Sequence, residues 1–234
     1  MEATTFLNAA DMAQTRTPME FVAYVEQKSD ELSSTVEAKA FARSGAPLAK
    51  KFFDELWPLA RFVDREYSGR NDVFIRPHLG NENFDAHVTV GNDRIRQDIV
   101  LEVTYAKDGY DLSLRMEVGA SERLVFLSGP VTVSGRKGSP NRRVKVMPLC
   151  EDVDDRVKKY FPLVEERLRA KSGKQYGNKH ILVVAVDDYL ALAQDSYWPH
   201  FRVFVTELLP KLALDFPRIV FVGIAGRFFL SVNR

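Results

Sequence analysis

Cysteine occurs once in the 234 residues, at Cys150, which excludes an internal disulfide framework and a multi-cysteine zinc site. No apolar run approaches the roughly 18 residues that suggest a membrane span. Residues 1–18, MEATTFLNAADMAQTRTP, lack a basic region followed by an apolar core, so no signal peptide is read and a soluble cytoplasmic protein is expected. An excess of one charge is missing too: 33 Lys plus Arg stand against 32 Asp plus Glu, so an anionic partner must be met by a local cluster. Neither a GxSxG elbow nor a GxxxxGKS/T phosphate loop occurs, which argues against a nucleophile-elbow hydrolase and a P-loop NTPase. What remains is ordinary globular composition, 45% hydrophobic and 28% charged, without repeats or low-complexity segments.

Read in order, residues 1–17 carry no periodicity and form a poorly ordered start. Thr17-Pro18 opens a helix to about Ser33. A second helical segment spans about Val36 to Tyr67, interrupted at Gly45-Ala46-Pro47, with Pro58 marking a kink or break. A short strand at Val73–Ile75 and two longer ones around Gly91-Asn92-Asp93 follow, and residues 108–120 fit either a helix or an alternating strand. Apolar runs at 124–127, 131–133 and 144–147 are separated by Ser128-Gly129-Pro130 and by a basic loop from Gly135 to Arg143. Then come a helix (Glu151–Ser172), a buried strand (His180–Val186), a helix from Pro199 to about Leu214, and strands at Ile219–Ile224 and Phe228–Val232. This order predicts a mixed α/β (α+β) fold, a central mixed sheet flanked by helices, with an N-terminal helical region (1–69) packed on a core (70–234).

The stretch Phe84–Asp111, FDAHVTVGNDRIRQDIVLEVTYAKDGYD, concentrates the chemistry. With Asn92-Asp93 as a two-residue loop, Phe84 faces Leu101, Ala86 faces Ile99 and Val90 faces Ile95 across one apolar face. Asp85, His87 and Thr89 then share the other face with Val100, Glu102 and Thr104. In that register Asp85 stands across from Val100 and diagonal to Glu102, about 7–8 Å between backbones. Two carboxylates so placed either share a hard cation such as Mg²⁺ or Mn²⁺, or stand solvated on an exposed hairpin face.

Asp85 in FDAHV and Glu102 in IVLEVT resemble the motif of the PD-(D/E)XK nuclease superfamily, in which an Asp on one strand precedes Glu-x-Lys or Asp-x-Lys on the next. More narrowly, LEVTYAKDGYDLSLRMEV followed by VTVSGRKG resembles an uncharacterised bacterial family with an IE-V/I-T-x-A-x-DGYD-x-x-LRME segment and a later SG-x-K, over about residues 83–190. The resemblance implies a restriction-endonuclease-like core and metal-dependent hydrolysis of phosphodiester bonds in DNA or RNA. It also implies Mg²⁺ or Mn²⁺ on Asp85 and Glu102, with Glu66 as an extra acidic ligand from the preceding helix, and a homodimer as a common arrangement. Thr104 fills the superfamily's lysine position and brings no positive charge. Lys171 and Lys174, at the end of a later helix, are the expected catalytic substitutes, with Lys107 and Gln175 as lesser ones. Without such a substitute, the resemblance implies an inactive nuclease-fold module that binds nucleic acid or a protein partner.

Other residues carry two readings each. Arg136, Lys137, Arg142 and Arg143 either follow a phosphate backbone or form a solvated hairpin loop. Arg115 and Glu117 orient a phosphate or make an ordinary ion pair. His87 ligates metal, accepts a proton or has no role. Tyr105 and Tyr110 stack on a base or pack at strand ends. Asp187-Asp188 sits where α/β sheets place ligands, or ends a strand in a turn.

Overall fold

A computed structural model describes residues 6–80, 82–92, 95–122, 129–136, 139–147, 149, 152–189 and 191–234. Residues 6–17 are more ordered than their composition predicts. Asn8 caps a short helix α1 (Ala9–Met12), Leu7 and Met12 are buried, and Arg16 exchanges backbone hydrogen bonds with Ile75 at 2.9 and 2.8 Å. Two buried apolar anchors and one backbone bridge suffice to tie down a segment without periodicity.

Helix α2 (Pro18–Ser34) starts in a reciprocal cap between Thr17 and Glu20 with Pro at the first turn. Helix α3 (Val36–Arg43) ends before Gly45, whose φ of 72° lets the chain turn into α4 (Pro47–Lys51). A π-helical turn, Phe52–Leu56, then leads into α5 (Trp57–Tyr67). Pro58 has no N–H to bond the Asp54 carbonyl, so the chain widens here instead of breaking: Trp57 N–H reaches back five residues to the Phe52 carbonyl. Phe21, Phe52, Phe62 and Val63 lie fully buried in one cluster with Ala86, Val88, Leu101 and Val103. Each contributes about 1.5–3 kcal/mol relative to exposure, which fastens these helices to one sheet face.

The sheet runs β1 (Val73–Pro77), β2 (Ala86–Asn92), β3 (Ile95–Tyr105), β6 (His180–Val186), β7 (Arg218–Gly223) and β8 (Phe229–Asn233) from edge to edge. Its centre, β3–β6–β7, is parallel, and its flanks are antiparallel, so the fold is mixed α+β with a mixed central sheet. Helix α6 (Gly109–Glu122) follows β3, settling the ambiguity at 108–120 because Asp108 caps the N–H groups of Tyr110 and Asp111. Strands β4 (Val131–Ser134) and β5 (Arg143–Val146) form a separate two-stranded ribbon, while the run at 124–127 lies outside the described residues. Helix α7 (Val153–Lys171) and helix α8 (Tyr197–Leu208) cross over the second sheet face, burying Val164, Leu168, Phe201 and Val205 against Leu182, Val184 and Phe221. Among the described residues no helix is long and apolar enough to cross a membrane.

The β2–β3 register differs from expectation by two residues. Ala86 pairs with Leu101, His87 with Val100 and Val90 with Gln97, and the hairpin closes from Asn92 to Ile95 around residues 93 and 94, which lie outside the described residues. A two-residue slip preserves which face each side chain takes, so apolar alternation does not distinguish the two registers. One further step puts Asp85 across from Glu102 rather than diagonal to it.

Candidate functional site

Glu102 is in register with Leu182 of β6, so its side chain leaves β3 on the face that α7 covers. It is 8% exposed. Asp85 precedes β2: its N–H donates to the Leu101 carbonyl at 2.8 Å, its carbonyl accepts from His78 N–H at 2.8 Å, and its carboxylate accepts from Val103 N–H at 2.7 Å. That last bond fixes Asp85 against the strand that carries Glu102.

A lysine comes to Glu102 from α7. Lys171 follows the buried Leu168 by three residues and shares its sheet-facing side, and Lys171 Nζ contacts Glu102 Oε1. Thr104 thus keeps the strand position while Lys171 brings the charge across space. Lys174 lies past the helix end, exposed, yet its charge also acts on Glu102. Lys107 is committed elsewhere: its ammonium pairs with Asp54 and lies 4.8 Å from the centre of the Tyr105 ring. Gln175 is exposed.

A third carboxylate joins from the π-helical turn. Glu55 lies in the field of Asp85 and pairs with Lys51 at 3.1 Å. Burial, followed by repulsion from Asp85, pushes Glu55 up to about 7. Burial also raises Asp85 and Glu102; Lys171 opposes the rise at Glu102 without cancelling it. The Tyr176 phenol is pushed up to about 12 by burial and then by Glu102 and Asp85, which puts it in the field of the same pair.

Glu66 stands apart from the Asp85–Glu102 row. Glu66 makes a two-pronged ion pair with Arg218 of β7 at 2.6 and 2.8 Å. It lies eleven residues beyond Glu55, about 16 Å farther along the helical path. Glu55, Lys51 and Tyr176 were missed: the only signal was the Asp54-Glu55 pair just ahead of Pro58, and the widened turn that aims it is not legible from periodicity.

The basic candidates are dispersed. Arg115 is 8% exposed, bonded to Asp111 at 2.5 and 3.2 Å and to the Gly129 carbonyl at 2.7 Å, so it holds α6 to the chain ahead of β4. Arg142 pairs with Glu117 at 2.9 and 3.1 Å, and Arg143 begins β5. Arg136 lies exposed just after β4, and Lys137 lies outside the described residues. The described cations among them belong to α6 and the ribbon, not to the carboxylate row. Tyr105 is half-buried and Tyr110 is 68% exposed. Asp188 is a turn residue, fully buried, whose carboxylate accepts from Ala225, Arg227 and Phe228 N–H.

Among the described residues no three His, Cys, Asp or Glu side chains form a ready-made set of metal ligands. The donor set nevertheless fits Mg²⁺, which is commonly held by one or two carboxylates together with water and substrate phosphate. Asp85 and Glu102 supply oxygen donors whose mutual repulsion a cation relieves. No protein-family model, curated protein or solved structure matches the chain.

Proposed function

We propose that the protein is a metal-dependent nuclease that hydrolyses phosphodiester bonds in DNA or RNA at the Asp85–Glu102 row. The contact of Lys171 with Glu102, beside Asp85, carries this reading, because it supplies the positive group that Thr104 lacks. Asp85 and Glu102 would hold Mg²⁺ or Mn²⁺, with Glu55 alongside. When bound, the cation supplies Lewis-acid polarisation of the phosphate and stabilises charge on the leaving oxygen. Lys171 orients the attacking water and balances the negative charge that gathers on the phosphoryl oxygens. Glu55, titrating near 7, is suited to exchange a proton at neutral pH. Val103 N–H and the flanking strand hold Asp85 in place, so the row is set before substrate arrives.

The test is cleavage of labelled single- and double-stranded DNA and RNA with Mn²⁺ and with chelator. Activity that needs Mn²⁺ and falls at least about 100-fold in Asp85→Ala and Glu102→Ala, with circular dichroism unchanged, is expected. Full activity in either folded variant would remove the assignment.

A further inference from the structure

The sheet face that carries Asp85 and Glu102 continues past them toward the β1 edge, where Phe74 and Arg76 are exposed. Cross-strand register lays out its rows: Phe74 pairs with Thr89 and Thr89 with Asp98, then Arg76 with His87 and His87 with Val100. The row after these holds Asp85 and Glu102. Neighbouring rows stand two residues apart along each strand, about 6.8 Å. A cavity of about 420 Å³ opens over the first two rows, walled by Thr15 from the N-terminal segment and lined by Phe74, Arg76, His78, His87 and Arg96.

Its chemistry is uneven. Phe74 is 41% exposed, and His78, Phe84 and His87 pack ring against ring at 4.6–5.2 Å. His78 Nε2 is buried without a hydrogen-bond partner among the described residues. Arg76 is exposed, and Arg96, 65% exposed, is balanced by Asp98 at 3.2 Å. An exposed Phe74 ring next to the Arg76 guanidinium suits an unpaired base and its phosphate, because a duplex keeps its base faces stacked inside.

We propose that this groove binds a single nucleic-acid strand and leads it into the Asp85–Glu102 row. The proposal rests on the nuclease reading of that row, and the experiment separates them by measuring binding without metal. Fluorescence anisotropy of end-labelled single-stranded and duplex oligonucleotides, in chelator, reports the groove alone. Single strands are expected to bind at least about 10-fold tighter than duplex. Phe74→Ala and Arg76→Ala should each weaken single-strand binding about 10-fold, and Arg76→Ala should reduce the salt slope by about 0.7, while Arg76→Lys keeps that slope. Thermal melting of each variant confirms folding. Equal or tighter duplex binding, unchanged affinity in folded Phe74→Ala and Arg76→Ala, or equal competition by polyglutamate would overturn the groove. Cleavage with Mn²⁺ is scored separately: binding without cleavage supports the groove and removes the nuclease reading, whereas cleavage untouched by Arg76→Ala removes the groove and leaves the nuclease.

Discussion

Carboxylates stand at two places beside this sheet, and they are satisfied in different ways. Asp188, just after β6, has no exposed surface and accepts three backbone N–H groups, from Ala225 and Arg227 at 2.7 Å and Phe228 at 3.1 Å. Even Gly223 conforms to it, since a Cβ there would fall 1.9 Å from Asp188 Oδ2. Asp85 has one backbone donor and shares its surroundings with Glu55 and Glu102, against Lys51 and Lys171. Fixed dipoles satisfy Asp188 and leave no demand for a ligand. The other group is held above its ordinary range, chiefly by burial and, at Glu55 and Glu102, secondarily by the charge of Asp85. What separates the two places is the supply of donors: three backbone N–H groups for Asp188, one for Asp85.

The comparison breaks most directly at Asp188. Asp188→Ala removes the acceptor of three N–H groups, that of Phe228 buried and those of Ala225 and Arg227 part-buried. At about 1–3 kcal/mol for the buried one and about 1 kcal/mol for each of the others, a loss of about 3–5 kcal/mol is expected in urea unfolding. That is a large share of ordinary domain stability, about 5–15 kcal/mol. Asp85→Asn keeps an oxygen for Val103 N–H and removes repulsion, so its stability should stay within about 1 kcal/mol of the parent. Comparable losses in both variants would erase the distinction.

Lys171 sharpens it next. Lys171→Met keeps much of the buried stem but removes the charge, and single-turnover cleavage with saturating Mn²⁺ should fall about 100-fold. Lys171→Arg should recover part of that loss. Parent rates in Lys171→Met would place the needed charge elsewhere, with Lys174 the first alternative.

Much of the scaffold was legible because single residues announce it. Thr17-Pro18 begins α2, Gly173 ends α7 with φ 74°, and HILVVAV reads as a strand covered on both faces. Parity likewise put Asp85 and Glu102 on one face despite the shifted register. What was hidden depends on contacts distant in sequence: Lys171 reaches Glu102 across 69 positions, and Glu66 finds Arg218 across 152. Glu55 was hidden for a local reason, since the π turn that presents it follows from how Pro58 is accommodated.

The smallest effect is the most specific to the carboxylate group. Glu55 rises from an ordinary 4.5 to about 7 in the fold, chiefly through burial and secondly through Asp85. The folded state therefore holds this proton more tightly than the unfolded chain. Its contribution to stability is complete below about pH 4.5 and is lost as pH rises through about 7. Allowing for screening at a partly exposed side chain, the loss is on the order of 1–2 kcal/mol. Urea midpoints measured from about pH 5 to pH 8 should fall less steeply in Glu55→Gln than in the parent. Millimolar Mg²⁺ should likewise flatten the parent curve at its alkaline end, because a cation favours the ionised carboxylates that burial disfavours. An identical slope in Glu55→Gln would detach Glu55 from Asp85 and leave the row with two acids.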